Sequence, residues 1–129
     1  MRILTVILLL CIALPATAET PMTAEAFEAY VQGRTLTFGN DEGPYGIETY
    51  HDGRRVTWAF LGGDCEPGEW YAENGSICFV YDFEPTPQCW QFFEEGDGLR
   101  AVFTNDPTST ILYEVLEADQ SMICPGLGV

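Results

Sequence analysis

Two-residue turns are the feature that most limits how this 129-residue chain can fold. After Gly33, apolar and polar residues alternate, and turn-forming residues recur at short intervals. Asp52-Gly53 and Asn74-Gly75 are dipeptides that favour type I′ turns, which join adjacent antiparallel strands. The sequence therefore predicts a mainly β domain of successive hairpins. We expect strands near 35–38, 46–50, 55–60, 69–73, 76–82, 88–94, 99–104 and 110–116.

The turn at 52–53 also predicts which residues face each other across its hairpin. A two-residue loop places Ile47 opposite Trp58, so that apolar residues share one face. The same register places Glu48 beside Thr57 on the other, polar face. Because a one-residue slip would exchange the two faces, this match of apolar with apolar and polar with polar supports the register.

Eight strands joined only by hairpins form a meander, which leaves two exposed edges unless the sheet closes. We expect it to close into a small up-and-down barrel or a half-barrel. A single N-terminal helix is predicted at about 23–32, with Thr23 as its cap and Gly33 as its stop. Its apolar stripe should cover one opening or one face of the barrel and consists of Ala24, Phe27, Tyr30 and Val31.

The cysteine count predicts two disulfides. Four cysteines follow the first 18 residues, an even number that is typical of small exported domains. Cys78 and Cys89 have the parity that puts them on one face of a hairpin, near bridging distance, so we expect them to be joined. By elimination, Cys65 pairs with Cys124 and tethers a tail at 117–129 to the barrel. Closely spaced pairs such as C-x-x-C, which zinc sites favour, do not occur, and we expect no metal-binding residue.

The N-terminus has the pattern of a secretory signal peptide. One basic residue, Arg2, precedes an apolar run that ends in Ala16-Thr17-Ala18, a small-x-small cleavage pattern. The run is shorter than the roughly 20 residues that span a bilayer. We therefore expect a signal peptide at 1–18, a single β domain at 19–129, and a periplasmic or secreted protein that does not stay in the membrane.

The predicted mature chain is strongly acidic. It keeps all twenty acidic residues and, with Arg2 removed, four arginines and no lysine, a formal charge of −16. Nucleic acid is excluded as a partner because its phosphates carry the same sign, and anionic membranes are disfavoured for the same reason. Such a charge attracts basic proteins and cations.

Acidic side chains gather on the loops at one end of the predicted barrel. In a meander, successive loops alternate between the two ends, so loops 39–45, 61–68, 83–87 and 105–109 share an end. These loops are predicted to be long, and they contain no basic residue. In proteins generally, loops carry binding function more often than the scaffold that holds them. Their acids, called the acidic rim below, are Asp41, Glu42, Asp64, Glu66, Glu84 and Asp106. We expect this rim to engage a basic protein or a divalent cation.

The sequence contains no motif that assigns a catalytic residue or a cofactor. His51 is the only histidine, and it flanks a turn; no serine lies in a nucleophile motif. We therefore expect a monomeric, non-enzymatic binding or inhibitor-type module. Two alternatives stay open: a small carboxylate-dependent hydrolase, since twenty acids always offer pairs, and a purely structural envelope protein.

Four stretches of the chain carry a resemblance to a known group. They are "TLTFG", "YGIETYHDGRRVTWAF", "GEWYAENGSICFVYDFEPTPQCW" and "STILYEV". With its G-x-W, I-C-F and C-W motifs, the chain resembles small exported bacterial proteins of the alphaproteobacterial type, whose function is unknown. The resemblance implies a calycin-like β domain and a periplasmic location, and it implies no catalytic residue. Periplasmic lysozyme-inhibitor barrels are a more distant likeness, and their serine- and glycine-rich inhibitory loop is not found here.

Overall fold

In the part of the chain that the structure describes, eight antiparallel strands form a closed barrel and one short helix precedes them. The computed structural model describes residues 13–15, 18–106, 110–117, 122 and 124. The helix α1 spans Ala24–Val31. The strands are β1 Thr35–Asn40, β2 Gly43–His51, β3 Arg55–Phe60, β4 Glu66–Glu73, β5 Ser76–Tyr81, β6 Glu84–Glu95, β7 Gly98–Phe103 and β8 Ile111–Glu114. The predicted signal peptide lies almost entirely outside the described residues.

Each strand pairs with its neighbours in sequence, and the last strand returns to the first. The closing contact is short: Phe38 of β1 lies opposite Glu114 of β8, and Gly39 lies opposite Tyr113. The sheet therefore has no free edge, and the predicted meander and its closure are confirmed. No helix within the described residues is long and apolar enough to cross a membrane.

Helix α1 closes one end of the barrel. Thr23 caps the helix, because its Oγ1 accepts a hydrogen bond from the backbone N–H of Ala26 at 3.1 Å. Phe27 is completely buried, and its ring centroid lies 5.2 Å from that of Trp70 and 4.5 Å from that of Phe92. The predicted helix and its role as a cover are confirmed. We call this end, with the turns at 52–54, 74–75 and 96–97, the helix end.

The turn between β2 and β3 differs from the prediction. It is a three-residue turn at Asp52–Arg54 rather than a two-residue type I′ turn. Both Gly53 and Arg54 adopt left-handed backbone conformations, with φ of 72° and 59°. The guanidinium group of Arg54 forms an ion pair with Glu28 of α1, at 3.2 Å, and lies over the ring of Trp70. These contacts hold a non-glycine residue in a conformation that is otherwise unfavourable.

The extra turn residue shifts the register of this hairpin by one. Trp58 lies opposite Glu48, and the prediction that it lies opposite Ile47 is wrong. Because the side-chain period of a strand is two, the shift moves Glu48 and Tyr50 from the predicted polar face to the barrel interior. Both residues are only 2% exposed.

The other predicted hairpin and both disulfides are confirmed. Asn74 and Gly75 have φ of 50° and 77°, as a type I′ turn requires. Cys78 lies directly opposite Cys89, and these residues form a disulfide with a Cα–Cα distance of 4.0 Å. A second disulfide, with a Cα–Cα distance of 5.2 Å, joins Cys65 to Cys124.

Two of the four loops opposite the helix end are shorter than predicted. Strands β2 and β6 begin at Gly43 and Glu84, earlier than expected, which reduces these connections to residues 41–42 and 82–83. Pro44 lies opposite Gly39, next to a register shift in the β1–β2 pair. Pro85 and Pro87 lie at a register shift in the β5–β6 pair, between Glu84 opposite Tyr81 and Gln88 opposite Phe79. The longer connections are 61–65 and the segment between β7 and β8. We call this end the loop end.

Candidate functional site

A half-enclosed cavity occupies the loop end of the barrel interior. It offers about 80 Å³ to the centres of water-sized molecules. Ten of its fourteen lining residues are aromatic, and Tyr45, Phe60 and Phe83 are each at least 41% exposed and mark its mouth. The lining consists of Phe38, Tyr45, Glu48, Tyr50, Trp58, Phe60, Phe79, Tyr81, Phe83, Gln88, Trp90, Phe92, Ala101 and Leu112.

The period-two pattern of the strands brings these rings together. Trp58 and Phe60 alternate along β3, and their rings meet edge to face with centroids 5.5 Å apart. Tyr45 of the neighbouring strand approaches Phe60 in the same way, at 5.4 Å. Tyr81 and Phe83 extend the wall on the β5 side, at 5.9 Å. Aromatic rings therefore border the mouth on both the β2–β3 side and the β5 side.

Two glycines make room for the rings inside the barrel. A Cβ atom at Gly46 would overlap the indole carbons of Trp58. A Cβ atom at Gly68 would lie 2.7 Å from the ring of Tyr81 and 2.6 Å from the carbonyl oxygen of Val80. Each ring therefore packs directly on the backbone of the adjacent strand, a close approach that glycine alone permits.

Glu48, on β2, lies in the interior of this cavity. Its partners on the neighbouring strands are Leu36 of β1 and Trp58 of β3. The hydroxyl group of Tyr81 donates to the carboxylate, with distances of 3.1 and 3.3 Å to its two oxygens. Burial raises the pKa of Glu48 well above its ordinary value of 4.5, and the hydrogen bond from Tyr81 only partly opposes this. Among the described lining residues there is no basic side chain to balance its charge.

Two tyrosines near Glu48 stay protonated at neutral pH. Burial raises the pKa of Tyr50 and of Tyr81 well above 10.0, and the neighbouring charge of Glu48 raises both further. Tyr81 therefore acts as a hydrogen-bond donor to Glu48 rather than as a base. Gln88, which lies opposite Phe79, supplies the cavity's one side-chain amide among the lining residues.

The acidic rim surrounds the end of the barrel where the cavity opens. Asp41, Glu42, Asp64 and Asp106 are exposed on connections at this end. Glu66 begins β4, half-buried and opposite Trp58. Glu84 begins β6, and hydrogen bonds from Thr86, including one at 3.0 Å from its backbone N–H, lower the pKa of Glu84.

The rim carboxylates do not converge on a metal-binding arrangement. Within the described residues, no group of three or more His, Cys, Asp or Glu side chains could hold a metal ion. The rim is a distributed negative surface, and a surface of this kind acts over a distance on any positively charged group that approaches.

Sequence reasoning missed Glu48, the one carboxylate inside the cavity. The two-residue turn assigned to Asp52-Gly53 placed it on the polar face. A register shifted by one residue would have set the small Gly46 opposite the large Phe60, as the structure does. That pairing of small with large was the available signal. His51 lies on the outer face, where its Nε2 is 2.8 Å from the hydroxyl oxygen of Thr57.

Comparisons with known proteins found no match for this chain among family models, curated proteins or solved structures. The resemblance to small exported bacterial proteins and the more distant likeness to lysozyme-inhibitor barrels therefore stay predictions. The site must be interpreted from its own chemistry.

Proposed function

We propose that this protein is an exported, non-enzymatic binding module whose loop end engages a basic partner. The observation that carries the proposal is the position of Glu48: a buried carboxylate in an aromatic cavity that opens within a rim of six further acids. A positively charged group is the partner that this arrangement would stabilise most, because it meets negative potential outside and an unbalanced carboxylate inside.

The proposed location outside the cytoplasm rests on the disulfides and on the predicted signal peptide. Cys65–Cys124 and Cys78–Cys89 are typical of proteins that fold in an oxidising compartment. The small-x-small pattern at the end of 1–18 supports cleavage there. We therefore assign the mature domain to the periplasm or the extracellular space.

Binding accounts for the cavity better than hydrolysis does. Glycoside hydrolysis uses two carboxyl groups roughly 5–9.5 Å apart, on either side of the bond that is cleaved. Glu48 is the one carboxylate among the described residues that line the cavity. The lining also holds no histidine, serine, cysteine or lysine that would serve as a nucleophile or base. A purely structural role would leave the open aromatic mouth without a purpose.

The rim and the cavity have different parts in this proposal. The rim speeds the approach of a basic partner, because exposed charges of one sign steer association. The cavity receives the part of the partner that becomes buried, where interactions are less screened. A basic protein would engage both, with its charged surface on the rim and a side chain at the mouth.

The test compares charge removal at the two ends of the barrel. The rim variant is Asp41→Asn, Glu42→Gln, Asp64→Asn and Glu66→Gln, and the control variant removes four exposed acids elsewhere, with Glu25→Gln, Glu73→Gln, Glu94→Gln and Asp97→Asn. Lysozyme and an oligo-arginine peptide serve as basic probes, and association rates are measured at low and high salt. We expect the rim variant to associate more slowly and with less salt dependence than the control variant. Equal loss in both variants, or no binding of either probe to the wild type, would overturn the proposal.

A further inference from the structure

We propose that the cavity is a binding site for a small alkylated ammonium ion, whose charge lies between the aromatic rings and the Glu48 carboxylate. This inference names the ligand class of the loop end, and it rests on the proposed function in taking that end as the binding end. The occupant is defined by its chemistry: a monovalent organic cation in which carbon groups, rather than N–H groups, surround the nitrogen.

The size of the cavity fits such an ion. The volume of about 80 Å³ is several times the roughly 10–15 Å³ that one buried water requires, so the cavity has room for several water-sized groups. A tetramethylammonium or choline group is of similar size. The exposed rings of Phe60 and Phe83 leave the mouth open, so that a longer substituent can extend toward solvent.

The aromatic walls are the surface that an alkylated cation prefers. The face of an aromatic ring carries negative charge density, and it attracts a cation within about 6 Å of the ring centroid, with tryptophan the strongest. The lining contains Trp58 and Trp90 beside the phenylalanines and tyrosines. Alkyl groups on the nitrogen also bury favourably against these rings, whereas the N–H groups of a primary ammonium would need acceptors that this mainly apolar lining provides only at few positions.

The protein's own arginines show the same chemistry at the opposite end. Arg34 lies over Tyr30, Arg54 over Trp70 and Arg100 over Phe93, each with its guanidinium carbon within 4.5 Å of the ring centroid. No such contact with a basic side chain is found at the cavity rings in the described part of the chain. The rings at the loop end are therefore accessible to a cation that comes from outside.

Glu48 provides the charge that distinguishes this site from a general apolar pocket. A buried carboxylate is costly unless a positive group or several donors compensate it, and Tyr81 is the one side-chain donor to Glu48 in the described part of the chain. An incoming ammonium ion supplies the missing compensation. The same carboxylate and the surrounding rim repel anions, which excludes fatty acids and other carboxylate ligands.

Ligand binding should be coupled to proton release. Because burial raises the pKa of Glu48, the empty site retains a proton to higher pH than an exposed glutamate, and the cation favours the ionised form. Tyr81, which donates to Glu48, and Tyr50, whose pKa the charge of Glu48 raises, both remain neutral. The strand neighbours Leu36 and Trp58 do not titrate. The carboxyl proton leaves to solvent as the cation enters, so affinity should rise with pH through the pKa of Glu48.

The experiment titrates the mature protein with choline and tetramethylammonium, followed by calorimetry and by tryptophan fluorescence. Three comparison ligands are used: ethanolamine, acetate, and the neutral analogue of choline in which carbon replaces the nitrogen. We expect choline to bind at least about tenfold more tightly than its neutral carbon analogue, and acetate not to bind. Calorimetry in two buffers of different ionisation enthalpy should show net proton release.

Two variants and a control locate the site. Glu48→Gln keeps the size of the side chain and a partner for Tyr81, and it should weaken choline binding at least about tenfold and remove the proton release and the pH dependence. Gly46→Ala should force the Trp58 ring toward the cavity and also weaken binding. Glu73→Gln, on the exposed surface at the helix end, should bind as the wild type does.

The outcomes separate this inference from the proposed function. Equal binding of the neutral analogue, unchanged binding by Glu48→Gln, or no binding of either cation would overturn the ammonium site, whereas binding of lysozyme or oligo-arginine at the rim would still support the basic-partner proposal. Choline binding without any binding of the basic polypeptides would have the opposite meaning: the site for small cations stands, and the proposed basic polypeptide partner is rejected.

Discussion

Within the described residues, each end of the barrel buries one carboxylate side chain, and the two are stabilised in different ways. At the helix end, Glu114 accepts hydrogen bonds from the hydroxyl of Tyr30 at 2.6 Å and from the backbone N–H of Leu99 at 3.0 Å, and it forms an ion pair with Arg34 at 3.4 Å. At the loop end, the hydroxyl of Tyr81 is the one side-chain donor to Glu48 among the described residues. Glu114 is thus compensated by the fold itself, whereas we propose that a ligand compensates Glu48.

The aromatic residues show the same contrast. At the helix end, Phe27 seals the rings from water and is 0% exposed. At the loop end, Phe60 is 46% and Phe83 is 53% exposed, and no helix among the described residues covers them. The barrel wall is continuous between the two ends, so the difference comes from what covers each opening. We therefore expect the sealed end to contribute more to stability, and the binding site that we propose lies at the open end.

The largest expected effect comes from breaking the seal. Phe27→Ala should lower the free energy of unfolding by about 3–5 kcal/mol, because it opens a cavity among rings that cannot collapse onto it. Phe60→Ala removes a ring of the same size at the mouth and should cost only about 1 kcal/mol, since half of that ring is already in water. Urea denaturation of the two variants checks the difference.

This pair also tests which end stabilises the fold. Similar losses for Phe27→Ala and Phe60→Ala would contradict the contrast between a sealed end and an open one. A loss at Phe27 well above that at Phe60, together with weaker choline binding by Phe60→Ala alone, would sharpen it.

An intermediate effect is expected from the two buried carboxylates. Glu114→Gln should destabilise the protein by about 1–3 kcal/mol, because charge-assisted hydrogen bonds to Tyr30 and Leu99 are weakened and Arg34 loses its partner. Glu48→Gln should instead stabilise the protein at neutral pH, since it removes a carboxylate that is costly to ionise inside the barrel.

The pH dependence of this pair has a defined sign. The pKa of Glu48 is higher in the folded than in the unfolded protein, where it is near 4.5. Its contribution to stability is therefore fully present below that value and is lost as the pH rises toward the folded pKa, because the unfolded state ionises first. The difference in melting temperature between Glu48→Gln and the wild type should grow over this range. A difference that is constant with pH would show that Glu48 is ionised at no unusual cost.

Much of the fold could be predicted from the sequence because its signals are local. Alternating polarity and the Asn74-Gly75 dipeptide specify hairpins without reference to distant residues, and strand parity alone brings Cys78 opposite Cys89. The acidic end was identified for a similar reason, since successive loops of a meander must alternate between ends. These inferences do not depend on how side chains pack.

The interior of the cavity could not be predicted in this way, because it depends on one turn residue. The conformation of Arg54 is set by its contacts with Glu28 and Trp70, which are distant in sequence. Its presence as a third residue in the turn decides whether Glu48 faces the inside or the outside of the barrel. The start of β6 was missed because Pro85 and Pro87 were assigned to loop 83–87, whereas both lie within β6, at a register shift in the β5–β6 pair.

The smallest expected effect concerns this turn. Arg54→Asn removes the ion pair with Glu28, whose two side chains are 37% and 35% exposed, and the contact with Trp70. A half-exposed ion pair is worth roughly 0.2–1 kcal/mol and an exposed cation–π contact about 0.5–1 kcal/mol. Asparagine adopts a positive φ more readily than arginine, which offsets part of the loss. The net change in unfolding free energy should stay within about 1 kcal/mol, and choline binding should be retained.

Arg54→Ala, which has the same losses without the backbone relief, should be less stable than Arg54→Asn in urea denaturation. Loss of choline binding in Arg54→Asn would instead mean that the arginine itself, rather than the three-residue turn, holds Glu48 inside the barrel.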